Sequence, residues 1–289
     1  MRKSQSQAGD TRPMFCNKKL CEENKLEVLI SCMHQDDMSI VTRSGIIGDA
    51  IIINQCDSNG YSEMRTPFGN AKMYSVTDRG LTKSRNLAIS KSDADICLVC
   101  DDDEVFEHDY RRKILSAYKR LPDADVIIFK MKNRAPSFKN KVMRLRFPKT
   151  LKVSSWQISF RRKSFVDNDI RFDELLGAGT GNGAEEELKL MRDCEKKGLK
   201  IYYVPSEIAS VAQEQSTWFK GFDKQFFVNR GNTTRYILGL PLASLYALYY
   251  VIKKRKMYKS DISFIGALTS IFKGIFENKI SKMRKNTNQ

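Results

Sequence analysis

Apolar residues along this chain fall in short runs rather than in one long stretch. LEVLISCM (26–33), AIIINQCD (50–57), MYSVTD (73–78), DICLVC (95–100) and DVIIFKMK (125–132) each hold mostly branched or apolar side chains. Runs of this length, closed by polar turns such as DSNG, predict strands buried on both faces. The segments between them have another period. RGLTKSRNLAISKS (79–92) sets Leu81, Ser84 and Ala88 at helical spacing, and HDYRRKILSAYKRL (108–121) is amphipathic up to Pro122. Alternating strands and helices predict the α/β class, with a doubly wound, mostly parallel sheet. Ligands of such sheets sit beyond the carboxyl ends of the strands, where the strand order reverses.

The second half is less regular. A basic arm (132–152) leads to SSWQISFRR (154–162), which reads as a strand. A glycine-rich loop follows, then a helix from about Ala184 to Lys197, a stop at Gly198 and a strand ending near Pro205. No internal repeat or linker is visible, so one domain with a C-terminal extension is expected. Its parts are a polar extension (1–25), a domain (26–235) divided into halves 26–131 and 132–235, and a basic helical region (236–289).

Charge changes this picture. The net charge of +16 implies an anionic partner: nucleic acid, anionic lipid or a phosphorylated substrate. From Val126 to Val166 there are twelve basic residues and no acidic one, and from Lys253 to Gln289 ten against two. The seven cysteines show no disulfide spacing. Cys97 and Cys100 would point to opposite faces of a strand, which disfavours a shared zinc site. The N-terminal stretch lacks an apolar core, so a reducing cytoplasm is the expected compartment.

Against this basic background, Asp101, Asp102 and Asp103 follow a buried strand directly. Three adjacent carboxylates raise one another's pKa unless a cation or donors offset them. The bland alternative is a solvated acidic turn. At the ligand end of the sheet, hard oxygen donors suit Mn²⁺ or Mg²⁺ shared with a substrate diphosphate. Upstream, Arg79, Lys83 and Arg85 crowd the first turns of a helix, where the dipole already favours anions. An exposed basic helix face is the alternative there.

GLTKSRNLAI followed by LVCDDD resembles the G-x-S-x-x-R-N…D-x-D succession of family 2 glycosyltransferases, which have the GT-A fold. The chain is similar in particular to bacterial enzymes that build capsular or other surface polysaccharides. The resemblance runs from about Glu27 to Tyr236 and adds three pieces to that one: VLISCMHQ, which includes Ser31, IIINQCDSNG, and the block from FDELL to YYVP. It implies a Rossmann-like nucleotide-binding half, an acceptor half and C-terminal amphipathic helices. Ser31 and Asp57 would contact the nucleobase, with Asn54 or Gln55 in place of Asp57 as the alternative. Arg85 would sit by the diphosphate of a UDP-sugar, and Asp101 and Asp102 would hold the ribose. Asp103, with Asp101, would position the metal. The second acid of the family's G-E-[DE] motif falls on Glu186, the implied catalytic base, with Glu185 as its neighbour and substitute. The reaction would be inverting. Glycines 177, 179, 181 and 183 would let backbone approach the sugars. The chain has no histidine after His108; Gln213 stands near the place where many relatives supply one to the metal.

Trp156 and Trp218 are candidates for stacking on an acceptor sugar, with a core role as the alternative. YILGLPLASLYALYYVI (236–252) carries no charge, and KKRK follows it. With FIGALTSIFKGIF (264–276) it reads as interfacial helices with basic anchors, or else as a helical unit packed on the core. The expected partners are a nucleotide-sugar, a glycan or lipid-diphosphate-linked acceptor and an anionic membrane surface, at the cytoplasmic face of the membrane. Two rivals are weaker. A sugar nucleotidyltransferase would need a phosphate loop that SCMHQDD does not supply, and a nucleic-acid binder leaves the strand-end aspartates unexplained.

Overall fold

The computed structural model describes residues 24–135, 137–182, 185–211 and 221–287. Among these residues, ten strands form one sheet: β1 (Leu26–Met33), β2 (Asp49–Gln55), β3 (Gly60–Thr66), β4 (Gly69–Val76), β5 (Ile96–Asp101), β6 (Glu104–Phe106), β7 (Val126–Met131), β8 (Met143–Leu145), β9 (Ile158–Arg161) and β10 (Ile201–Val211). They run in the order β3-β4-β2-β1-β5-β9-β7-β10-β6, with β8 beside β10. The helices are α1 (Ser39–Arg43), α2 (Leu81–Lys91), α3 (Tyr110–Arg120), α4 (Arg162–Asp167), α5 (Glu186–Lys196), α6 (Lys224–Lys253), α7 (Arg255–Tyr258), α8 (Phe264–Glu277) and α9 (Lys279–Thr287).

The unbroken apolar runs have a simple cause: both faces of the central strands are covered. On β1, Leu26, Val28 and Ile30 pack with Ile114 and Ala117 of α3. Leu29 faces the other way, toward Ala88 of α2 and Leu190 and Met191 of α5. Cys97 and Cys100 fall in these two different layers, as their spacing on a strand requires.

Parallel pairing joins β4, β2, β1 and β5, and separately β7 and β10. Between these blocks lies β9, antiparallel to both β5 and β7. A strand from the expected acceptor half thus sits inside the sheet of the donor half. The expected strand at 154–162 is shorter, because a 3-10 turn (Ser155–Gln157) precedes β9 and α4 begins at Arg162. The third expected strand proves to be a hairpin. GYSEMRT escaped the apolar pattern because β3 is a mostly exposed edge, held to β4 by pairs such as Tyr61 with Tyr74, whose ring centroids are 5.2 Å apart.

By length and composition α6 is able to cross a membrane, but its path prevents it. Gly239 breaks the helix at φ 77° and ψ 171°, a region open essentially to glycine alone. The Phe227 and Tyr250 rings then lie 6.3 Å apart, and Arg230 donates to the Tyr246 hydroxyl at 3.1 Å. In a straight helix those pairs would be roughly 35 and 24 Å apart. The second arm therefore folds back on the first. Each arm is about 22 Å long, short of the roughly 30 Å hydrocarbon core of a bilayer.

α8 packs against the first arm so closely that backbone meets backbone. A Cβ at Gly231 would overlap the Ile271 carbonyl, and one at Gly274 the Val228 carbonyl. Gly231→Ala or Gly274→Ala should each destabilise the protein by about 1–3 kcal/mol, read as a lowered midpoint in urea unfolding. Gly198→Ala tests only backbone strain, because a Cβ there meets open space at φ 79°.

Candidate active site

The site is built where α2 crosses the carboxyl ends of β1 and β5. Strand register places Ser31 beside Asp101, and Ser84 of α2 donates to the Ser31 hydroxyl at 2.9 Å. Next on α2, Arg85 is 2% exposed. Its Nη2 donates to Asp101 Oδ1 at 2.7 Å, and its Nη1 donates to Glu186 Oε1 at 3.2 Å and lies 3.8 Å from Glu187. Its planar end lies 5.2 Å from the Phe172 ring centroid. Asn86 then fixes the chain at Phe172, donating to its carbonyl and accepting from its N–H, both at 2.9 Å. The Arg-Asn pair thus clamps two distant segments onto one helix.

One buried positive charge faces three carboxylates here. Burial and the neighbouring Glu186 push the Glu187 carboxyl up to about 8, against the pull of Arg85. Arg85 meets Asp101 and Glu186 at hydrogen-bonding distance and Glu187 only at 3.8 Å. The second oxygen of Glu186, Oε2, is buried and has no hydrogen-bond partner among the described residues. The loop carrying Gly177 passes beside that carboxylate, and Leu81 and Thr82 donate to the carbonyls of Ala178 and Leu176 at 3.3 and 3.1 Å.

Glu185 precedes α5 with φ 94°, a conformation that costs a non-glycine residue about 1–3 kcal/mol. Arg230 of α6 pairs with it at 2.6 Å. Burial raises the Glu185 carboxyl and Arg230 opposes the rise. Farther along, Asp173 accepts from the Tyr236 hydroxyl at 2.5 Å and from Arg284 at 2.9 Å. The C-terminal helices are therefore tied to the segments that carry the candidate catalytic acids.

The aspartates divide by environment. Asp101 Oδ2 accepts from the Ser155 hydroxyl at 2.9 Å, and its backbone N–H donates to the buried Glu104 at 2.8 Å. Both of its oxygens are thus engaged by protein donors. Burial and then the charge of Asp101 raise the carboxyls of Asp102 and Asp103, and Asp102 raises Asp103 further. This is the electrostatic pattern of a carboxylate pair that a cation would relieve. Among the described residues, no three histidine, cysteine or carboxylate groups converge on one metal position. A cation would therefore draw ligands from Asp103 and Asp102 and complete its shell with substrate oxygens and water.

Other expected residues lie elsewhere. Asp57 is solvated, its side chain 89% exposed, and pairs with Arg79 at 2.7 Å. Of its alternatives, Gln55 accepts from the Gly80 N–H at 2.7 Å, and Asn54 is bonded to the Gln35 backbone. Arg85, expected beside a diphosphate, is turned instead into the carboxylates. Trp156 adjoins Ser155 and packs partly on the core, with Arg134 5.6 Å from its ring centroid. Trp218, Gln213 and Gly183 lie outside the described residues. Glu187, Ser155 and Arg230 were not anticipated. Glu187 had a signal, as the third acid of the run; the other two pair with residues too distant in sequence for spacing to reveal.

The raised Glu187 carboxyl gives a pH dependence of stability. Its proton is held by the folded chain and not by the unfolded one, so its contribution is full below about pH 4.5 and is lost as the pH rises through about 8. Glu187→Gln should therefore gain on the wild type between about pH 5 and pH 8, with the difference between their melting temperatures constant above that range.

With this geometry in view, likenesses to known proteins can be placed. Residues 47–174 match the family described as glycosyl transferase family 2. S. aureus TarS, residues 1–349 in complex with UDP-GlcNAc, aligns with a TM-score of 0.57 at 15% identity, over 82% of this chain and 74% of that one. The same fragment with UDP gives 0.54 at 14% identity, over 82% and 73%. Mannosyltransferase PcManGT from Pyrobaculum calidifontis, with GDP-Man and Mn²⁺, aligns with a TM-score of 0.49 at 11% identity, over 93% of this chain and 90% of that one. No curated protein sequence matches. Residues 47–174 thus carry the match to glycosyl transferase family 2, within a fold shared with the TarS fragment.

Proposed function

We propose that this enzyme transfers a sugar from a UDP-sugar to a hydroxyl of a growing glycan, with inversion at the anomeric carbon. The observation that carries the reading is the Glu186 carboxyl group, held on one oxygen by Arg85 and meeting no partner among the described residues on the other. The TarS fragment, which shares the fold, binds UDP-GlcNAc and UDP.

In this reading Ser31 and the end of β2 receive the nucleobase, and Asp101 and Asp102 receive the ribose. Asp103 and Asp102 would hold a divalent cation, which neutralises charge gathering on the leaving diphosphate when it is bound. Glu186 accepts the acceptor hydroxyl's proton as the new C–O bond forms, and the electrons of the breaking bond leave with UDP. Arg85 orients Glu186 through the hydrogen bond to its Oε1. Trp156 offers an apolar face to the acceptor sugar. The acceptor is a glycan carried on a lipid diphosphate at the cytoplasmic face of the membrane, in surface polysaccharide synthesis. The acid-free arm from Val126 to Val166 supports an anionic acceptor.

A thermal-shift panel of UDP, GDP and CDP, each with Mn²⁺ or with EDTA, tests the donor site. UDP at a hundredfold its dissociation constant should add about 2.7 kcal/mol of stability with metal and little without. Asp103→Asn should abolish that gain. Equal shifts from all three nucleotides, or none, would contradict the assignment.

A further inference from the structure

We propose that the second arm of α6, residues 240–253, lies flat on an anionic lipid bilayer. Its two faces have different neighbours. Ala243, Ala247, Tyr250 and Val251 point into the helical core with Phe227 and Ile271. Leu245, Leu248, Tyr249 and Ile252 form the opposite stripe at helical spacing, and Leu245 and Ile252 are each 64% exposed. Among the described residues nothing covers this stripe, and an exposed apolar stripe of this kind marks an interaction surface.

Charge selects the occupant. The stripe runs directly into Lys253, Lys254, Arg255 and Lys256, all exposed. Between Tyr236 and Phe276 there is one acid, Asp261, and it accepts from the Phe222 N–H and the Ser260 hydroxyl. An apolar stripe with a cationic end suits acyl chains beneath anionic headgroups. A second copy of this chain would bring its own lysines against these. The bend at Gly239 leaves each arm too short to span the bilayer, so the arm lies along the interface rather than crossing it.

The inference adds a partner to the reading above and fits a membrane-borne acceptor. The core face of the same arm supplies Tyr246 and Tyr250, which hold Arg230 by a 3.1 Å hydrogen bond and a 4.3 Å ring contact. Arg230 in turn pairs with Glu185, next to Glu186. A docked arm would thus set the candidate catalytic acids beside the membrane through one layer of side chains.

Co-sedimentation of the full chain with vesicles tests this without any sugar transfer. Vesicles of phosphatidylcholine alone are compared with vesicles carrying about one-third phosphatidylglycerol, at physiological and high salt. The wild type should bind the anionic vesicles and bind the neutral ones at least roughly tenfold more weakly. Leu245→Glu with Ile252→Glu should remove binding to both. Lys253→Gln, Lys254→Gln and Lys256→Gln together should remove only the anionic preference. Retention of the UDP-induced thermal shift in these variants separates a lost docking surface from a damaged fold. Absence of wild-type binding overturns the proposal, as does binding that ignores both sets of substitutions. A concentration-dependent dimer that Leu245→Glu dissociates, with no vesicle binding, assigns the stripe to a second copy instead.

Discussion

A single guanidinium determines how this molecule is put together. Arg85 is buried where α2 meets the ends of β1 and β5, and it binds Asp101 from the sheet and Glu186 from a helix 101 residues later. Such a charge is stable in the interior only while its partners stay in place. Removing one side of a buried pair costs about 3–5 kcal/mol, because the other charge is left uncompensated. The same contact therefore joins segments 101 residues apart in sequence and fixes the spacing between the aspartates and the candidate base.

That arrangement accounts for the proton distribution. Three carboxylates around one guanidinium cannot all ionise cheaply in a low dielectric. Burial and Glu186 raise the Glu187 carboxyl, and the second oxygen of Glu186, next to the glycine loop, meets no partner among the described residues. Asp102 and Asp103 lie farther out, where burial and the charge of Asp101 raise both carboxyls against the weaker pull of Arg43 and Arg134, a setting that a cation would relieve.

The sequence showed the parts governed by local pattern. The apolar runs located β1, β2, β5 and β7, and the run of aspartates marked the strand end that became the site. It did not show β3, whose exposed edge carries no apolar run, or the place of β9, which depends on pairing between distant segments. Arg85 and Glu186 were each singled out, but nothing in their spacing announced that they touch. The fold-back of α6 did have a signal in Gly239 and Pro241, within a run that was read as continuous. Its consequence, the Arg230–Glu185 contact, was visible only once the arms were placed.

Proton transfer from the acceptor hydroxyl to Glu186 is the step on which the proposed reaction turns. The direct measurement is steady-state UDP release from UDP-sugars, with membrane-extracted glycan as acceptor, by the wild type and Glu186→Gln. The account predicts a fall in kcat of roughly a hundredfold or more, with UDP still stabilising the variant. A kcat close to that of the wild type would show that the proton goes elsewhere.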